Sequence, residues 1–162
     1  MTQLDLTDQS LNVRFVNMGV GFLTKSEGLW SEAEALREQG DEAGGQPLIE
    51  ASFRNRALAE GQFVRALEVT PNYLRALRAL RTSRVTQAIQ LGHLDRVPAF
   101  LTASRELAQT YPNFVGSYVL LGKAEARTGR VDAARIAFRR ALKLEPAHPE
   151  ALRLLEALPT LD

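Results

Sequence analysis

This 162-residue chain contains no cysteine. That excludes disulfides, thiolate metal sites and cysteine nucleophiles, and it fits a reducing compartment. Long apolar runs are missing too. No stretch approaches the roughly 18 consecutive apolar residues of a membrane span. The opening MTQLDLTDQS carries acids where a signal peptide would carry bases, and no apolar segment follows it. A soluble, cytoplasmic protein is therefore expected. Histidine is rare. Its two copies, His93 and His148, fall at expected helix boundaries, where solvation or capping is their ordinary use. H-E-x-x-H, G-x-S-x-G, a phosphate-cradling glycine loop and an acidic metal loop are all absent. No enzyme activity, catalytic residue, metal or cofactor is expected.

What is present is ordinary in amount and uneven in placement. Apolar residues make up 45% and charged residues 24%, as in a globular domain able to bury a core. Net charge is only +1, but residues 1–50 hold nine acids and three bases, a net of −6, so residues 51–162 net +7. Seventeen of the twenty bases are arginine, a bias that a GC-rich genome alone can produce.

Strand signals are nearly absent; only Leu11, Val13 and Phe15 alternate, and the spacing 11/15/18/22 fits a helix better. The chain reads as all-α. Helices are expected over 11–25, over 31–40 after Gly28, and over 48–69 with Ile49, Phe53, Ala57, Gly61, Val64 and Leu67 on the core stripe. A further helix over 72–91 has Leu74, Leu77, Leu80, Val85, Ala88 and Ile89 as its apolar set. Another runs from about 95 to 109 with Pro98 in its first turn. Gly40, Gly44, Gly45 and Pro47 predict a loop over 40–47, the only one of any length. Turns of two to five residues elsewhere make successive helices antiparallel.

The prolines that end helices are periodic. Pro112 and Pro146 are 34 residues apart, and Pro71 and Pro112 are 41 apart, the same period plus two helical turns. Within 115–148, Tyr118, Leu121-Gly122, Gly129, Ala134, Phe138, Ala141 and Pro146 sit where two closely packed short helices need large and small residues. This segment resembles the tetratricopeptide repeat family, departing from it at Glu125, where an aromatic is usual. Weaker echoes precede it. Phe63, Ala66, Leu67 and Pro71 look like the end of a second unit, and Gly21, Gly28 and Ala33 align with Gly122, Gly129 and Ala134.

The resemblance implies a right-handed superhelix of antiparallel helix pairs, an α-solenoid. Its expected parts are a degenerate repeat over 10–47, a long helix ending a repeat-like unit over 48–73, an irregular repeat with an insertion over 74–114, and the strong repeat over 115–148. A capping helix over 149–158 closes it, with Leu152, Leu155 and Leu158 on one stripe. It also implies a non-catalytic protein-binding module, an adaptor or scaffold, with its ligand in a concave groove. Carried onto this chain, the ligand-facing positions are Arg75, Arg78, Thr82 and Val85 in one unit, and Val119, Lys123, Ala126 and Arg127 in the next. The expected contacts are Arg75, Arg78, Thr82, Lys123 and Arg127, with Val119 as an apolar floor. Arginine pairs bidentately with carboxylates, so the expected partner is an acidic protein segment or a C-terminal carboxylate. The Lys/Asn carboxylate clamp of some relatives lacks its Asn here.

Two further partners are weighed. The stretch 54–84 nets +5 and would suit a nucleic acid, but Phe53, Phe63 and Tyr73 read as core rather than as stacking platforms. Self-association is the other, through an open stacking face or through the acidic segment 31–42 covering the basic groove.

Overall fold

The structure, a computed structural model, describes residues 3–159, with side chains from residue 11 onward. Among these residues there are seven helices and no strand. They are α1 (Gln3–Glu38), α2 (Glu42–Val69), α3 (Leu74–His93), α4 (Val97–Thr110), α5 (Val115–Arg127), α6 (Val131–Leu144) and α7 (Pro149–Glu156). The all-α expectation holds. No helix among the described residues is long and apolar enough to cross a membrane.

Two kinds of turn alternate along the chain, and each has a chemical cause. The turns after α1, α3 and α5 have three residues, and the middle one is left-handed: Gly40 (φ 84°), Asp95 (φ 54°) and Gly129 (φ 75°). Each closes with the same pair of main-chain bonds. Asp41 N–H donates to Leu36 O, Arg96 to Leu91 and Arg130 to Glu125, at 2.9–3.0 Å, and inside each the middle residue's N–H donates three residues back. This is the Schellman end of a helix, which glycine adopts without a Cβ clash. The turns after α2, α4 and α6 have four residues with proline second. Tyr73 N–H donates to Thr70 O, Phe114 to Tyr111 and His148 to Glu145, at 3.0–3.1 Å. Proline presets φ at that position of a turn and removes a donor the helix would otherwise use. The chain is thus three helical hairpins and a final helix, as the antiparallel pairing predicts.

The first hairpin departs most from the sequence expectation. Gly28 does not interrupt; α1 is one helix of 36 residues, and the loop expected over 40–47 shrinks to 39–41. Asp41 caps α2 by accepting from Gly44 N–H at 2.8 Å. Gly45 is buried, and a Cβ there would lie 3.0 Å from Ala33 O, so it serves the close approach of two helices rather than breaking one. Pro47 is the sixth residue of α2 and gives up a single main-chain bond. Gly92 likewise lies within α3, where a Cβ would lie 3.3 Å from the Phe100 ring.

The chain divides into two compact units, residues 1–83 and 84–162, with the division inside α3. In the first, Val16, Ala59, Phe63, Ala76 and Leu80 form the core, flanked by Phe15, Phe22, Leu67 and Tyr73. The buried stripe of α2 is Ile49, Ser52, Arg56, Ala59, Phe63 and Ala66, so Ala57, Gly61 and Val64 face water instead. Polar partners let Ser52 and Asn12 be buried. Ser52 Oγ donates to Ser26 O at 2.8 Å, and Asn12 Nδ2 donates to Thr70 Oγ1 at 2.6 Å. The stripe of α3 is also rotated. Ala76, Leu80 and Ser83 are buried, while Leu74, Leu77 and Ile89 are exposed.

In the second unit Phe138 fills the space beside Gly122, and Ala134, Ala137 and Ala141 allow α6 to sit close to α5. Val119 and Ala141 pack on Ala151 of α7, with Leu154 beside them. The capping face is therefore one position away from the expected Leu152, which is exposed.

Candidate functional site

Helix α3 is the longest of the five helices that follow Pro71, and its extra length has a definable place. From Asp95 to Gly129 is 34 residues, and from Tyr111 to Glu145 is 34. From Thr70 to Asp95 is 25 residues, against 18 from Tyr111 to Gly129. The seven additional residues are thus two turns added at the start of α3, residues 74–80.

Those two turns carry Arg75 and Arg78, and Thr82 follows on the same face (i, i+3, i+7); all three are exposed. Leu74 and Leu77 stand beside them, 55% and 39% exposed. They face out because Ala76, Leu80 and Ser83 already fill the inner side of the helix. The surface so formed offers guanidinium forks for carboxylates beside aliphatic area for an apolar side chain.

Counting back from the turn at Asp95 instead of forward from Pro71, the residues equivalent to Val119, Lys123 and Arg127 are Val85, Ile89 and His93. The sequence reading put Ile89 in the core and missed it as a surface residue. Its signal was Asp95 standing where Gly129 stands one period later.

The remaining expected contacts lie in the second unit and are partly engaged there. The Lys123 ammonium pairs with Glu150 at 2.5 Å. Arg127 Nη1 donates to Gly92 O, and its guanidinium lies 5.7 Å from the Phe100 ring centroid. Val119 is 4% exposed, packed within the α5–α6–α7 core, and offers a partner no surface.

Two buried charges were not anticipated. Glu125 on α5 accepts from Arg105 Nε and Nη2 of α4, at 3.2 and 2.9 Å, and Arg130 Nε lies 2.9 Å from its other oxygen. The residue that departs from the repeat pattern is therefore an ionic clasp across α4, α5 and the turn after α5. Arg56 is 1% exposed; its Nη1 reaches Ser83 O at 3.4 Å, while Nε and Nη2 have no hydrogen-bond partner. Burial lowers the pKa of this guanidinium, against the opposing attraction of Glu27 and Glu60. His148 caps α7, its Nδ1 accepting from Ala151 N–H at 3.2 Å. No cluster able to hold a metal occurs among the described residues.

Residues 115–158 match the sequence profile of the family described as tetratricopeptide repeat. No curated protein matches the chain. Among solved structures, the first tetratricopeptide domain of Spaghetti (RPAP3), bound to the HSP90 peptide SRMEEVD, is similar at TM-score 0.46 and 15% identity, covering 83% of this chain and 90% of that one. The Arabidopsis OM64 tetratricopeptide domain is similar at TM-score 0.46 and 16% identity, over 83% of this chain and 94% of that one. The helical pair α5–α6 and its closing helix α7 are thus the part of the chain that matches the tetratricopeptide repeat family.

Proposed function

We propose that this chain is a non-catalytic protein-interaction module, an adaptor or scaffold, that holds an acidic partner segment on the outer face of α3. The observation that carries this reading is the pair of extra turns at 74–80. They add no regular repeat position, yet they place Arg75 and Arg78 in water beside two exposed leucines. An exposed leucine pair framed by arginines is a poor solvated face and a suitable seat for an amphipathic acidic segment. The repeat match over 115–158 supports the binding class, since stacked helical pairs present extended surfaces. Lys123 and Arg127 contribute less, because their charges are already met inside the second unit. A nucleic-acid role for 54–84 finds no stacking surface, as Phe63 is buried and Phe53 and Tyr73 are half-buried.

The test is a pull-down with wild type and Arg75→Glu/Arg78→Glu, both substitutions being on exposed positions that leave the core untouched. Reversing two charges at a desolvated contact is expected to weaken a bound acidic partner by at least roughly a hundred-fold. A partner retained equally by both proteins removes the α3 face as the site. Retention of random-sequence RNA with a steep salt dependence replaces the reading with nucleic-acid binding.

A further inference from the structure

A second surface lies on the far side of α5 from Lys123 and Arg127. Tyr118, Leu121 and Glu125 (i, i+3, i+7) line one wall of an open groove of about 430 Å³, and Ile136 and Arg140 of α6 line the other. Ile136 is 69% exposed, although α6 has ample buried positions at Ala134, Ala137, Phe138 and Ala141. Leaving a branched aliphatic side chain in water beside a tyrosine and a leucine forgoes burial that a bound apolar group would restore.

Two of the residues lining this groove are charged, Arg140 and Glu125. Arg140 lies with its guanidinium 5.8 Å from the Tyr118 ring centroid, which occupies its flat face and leaves its N–H edge for an acceptor. Glu125 at the base is 6% exposed in its side chain and is already held by Arg105 and Arg130, which are themselves about half exposed. One carboxylate against three guanidiniums leaves a local charge of +2.

We infer that this groove is a second docking site, for an acidic peptide segment bearing one large apolar side chain. The apolar side chain seats against Ile136, Leu121 and Tyr118. Flanking carboxylates meet Arg140 and the outer N–H groups of Arg105 and Arg130. A basic segment is repelled by the same three guanidiniums. The occupant is thus argued from charge complementarity, and the site stands independently of the α3 face.

The probe is a short fluorescein-labelled peptide of glutamates around a central phenylalanine. Its binding is followed by anisotropy on full-length protein already carrying Arg75→Glu/Arg78→Glu, so that the α3 face does not contribute. Ile136→Glu and Arg140→Glu are each expected to weaken binding by roughly ten-fold or more, and so is replacing the phenylalanine by alanine. Circular dichroism checks that both variants remain folded, as expected for two exposed side chains. Equal binding by either groove variant, or equal binding of a lysine version of the peptide, overturns the proposal. So does a dimer at micromolar concentration that Ile136→Glu dissociates, since the occupant is then a second copy of this chain. Loss of binding on introducing Arg75→Glu/Arg78→Glu alone, with no groove effect, leaves only the α3 face.

Discussion

At the scale of single residues, the informative positions are those that break the apolar pattern. Arg56 sits on the buried stripe of α2, between Ser52 and Ala59, with two of its nitrogens unpaired. Its charge persists at neutral pH, because a guanidinium is not deprotonated there. Its pKa is lowered on folding, so the destabilisation is fully present below the folded-state pKa, a range that includes neutrality, and diminishes only as pH rises through it. Arg56→Met keeps the volume and removes the buried charge. We expect urea denaturation to show a gain of about 1 kcal/mol, unchanged between pH 6 and 8, on the pattern of buried ions replaced by apolar side chains. A loss of similar size would assign Arg56 a structural bond to Glu27 or Glu60 stronger than its desolvation. No reading of apolar periodicity could place an arginine in the core. This is why the stripe of α2 was assigned to Ala57, Gly61 and Val64 and lay on the wrong side of the helix.

Helices and turns were more legible where their chemistry is explicit. Pro71, Pro112 and Pro146 marked all three four-residue turns, and Gly129 marked one of the three left-handed ends. Gly40 marked another, but its neighbours Gly44, Gly45 and Pro47 suggested a loop that the packing of α2 against Ala33 overrides. The third, Asp95, is not marked by its residue type; only its distance of 34 residues from Gly129 points to it. It holds the same conformation as Gly129 with a side chain attached, at φ 54° against 75°. Asp95→Gly is therefore expected to stabilise the chain by about 0.5 kcal/mol, and Gly129→Ala to destabilise it by about 1 kcal/mol. Thermal denaturation of the two variants checks both signs. A loss at Asp95→Gly would mean that its side chain makes a contribution beyond the turn.

Hairpins also vary around a shared plan. Phe138 lies against Gly122, nine and seven residues from Gly129. Phe100 lies against Gly92, five and three residues from Asp95. The large-to-small contact has slid by one helical turn, and Ser104 and Ala88 occupy the positions that Phe138 and Gly122 hold one period later. A pattern of fixed positions sees a mismatch there. The physical requirement, one ring where one Cβ is missing, is kept.

At the scale of the whole molecule, two compact units imply separable responses. Trp30, the only tryptophan, lies in the first, 6.2 Å from the Phe53 ring. Gly122→Val would drive a branched side chain into the Phe138 ring in the second, at about 2–3 kcal/mol. In urea we expect its circular-dichroism transition to move to lower concentration while the Trp30 fluorescence midpoint stays within about 0.2 M, because repeat interactions are dominated by neighbours. A common shift of both signals would show that α3, which runs through the division, makes the chain one cooperative body.

By itself the sequence determined the helical class, the proline turns at Pro71, Pro112 and Pro146, and the repeat at 115–148. These follow from backbone chemistry and local spacing, which are properties of short segments. The resemblance singled out Arg75, Arg78 and Thr82, and all three are exposed. Only the tertiary structure decided which face of α2 and α3 is inside, that Glu125 closes a clasp with Arg105 and Arg130, and that Ile136 stands exposed beside an open groove. Each of those depends on what a second helix presents opposite. An exposed leucine and a buried leucine have the same spacing along the chain, and only the neighbour distinguishes them.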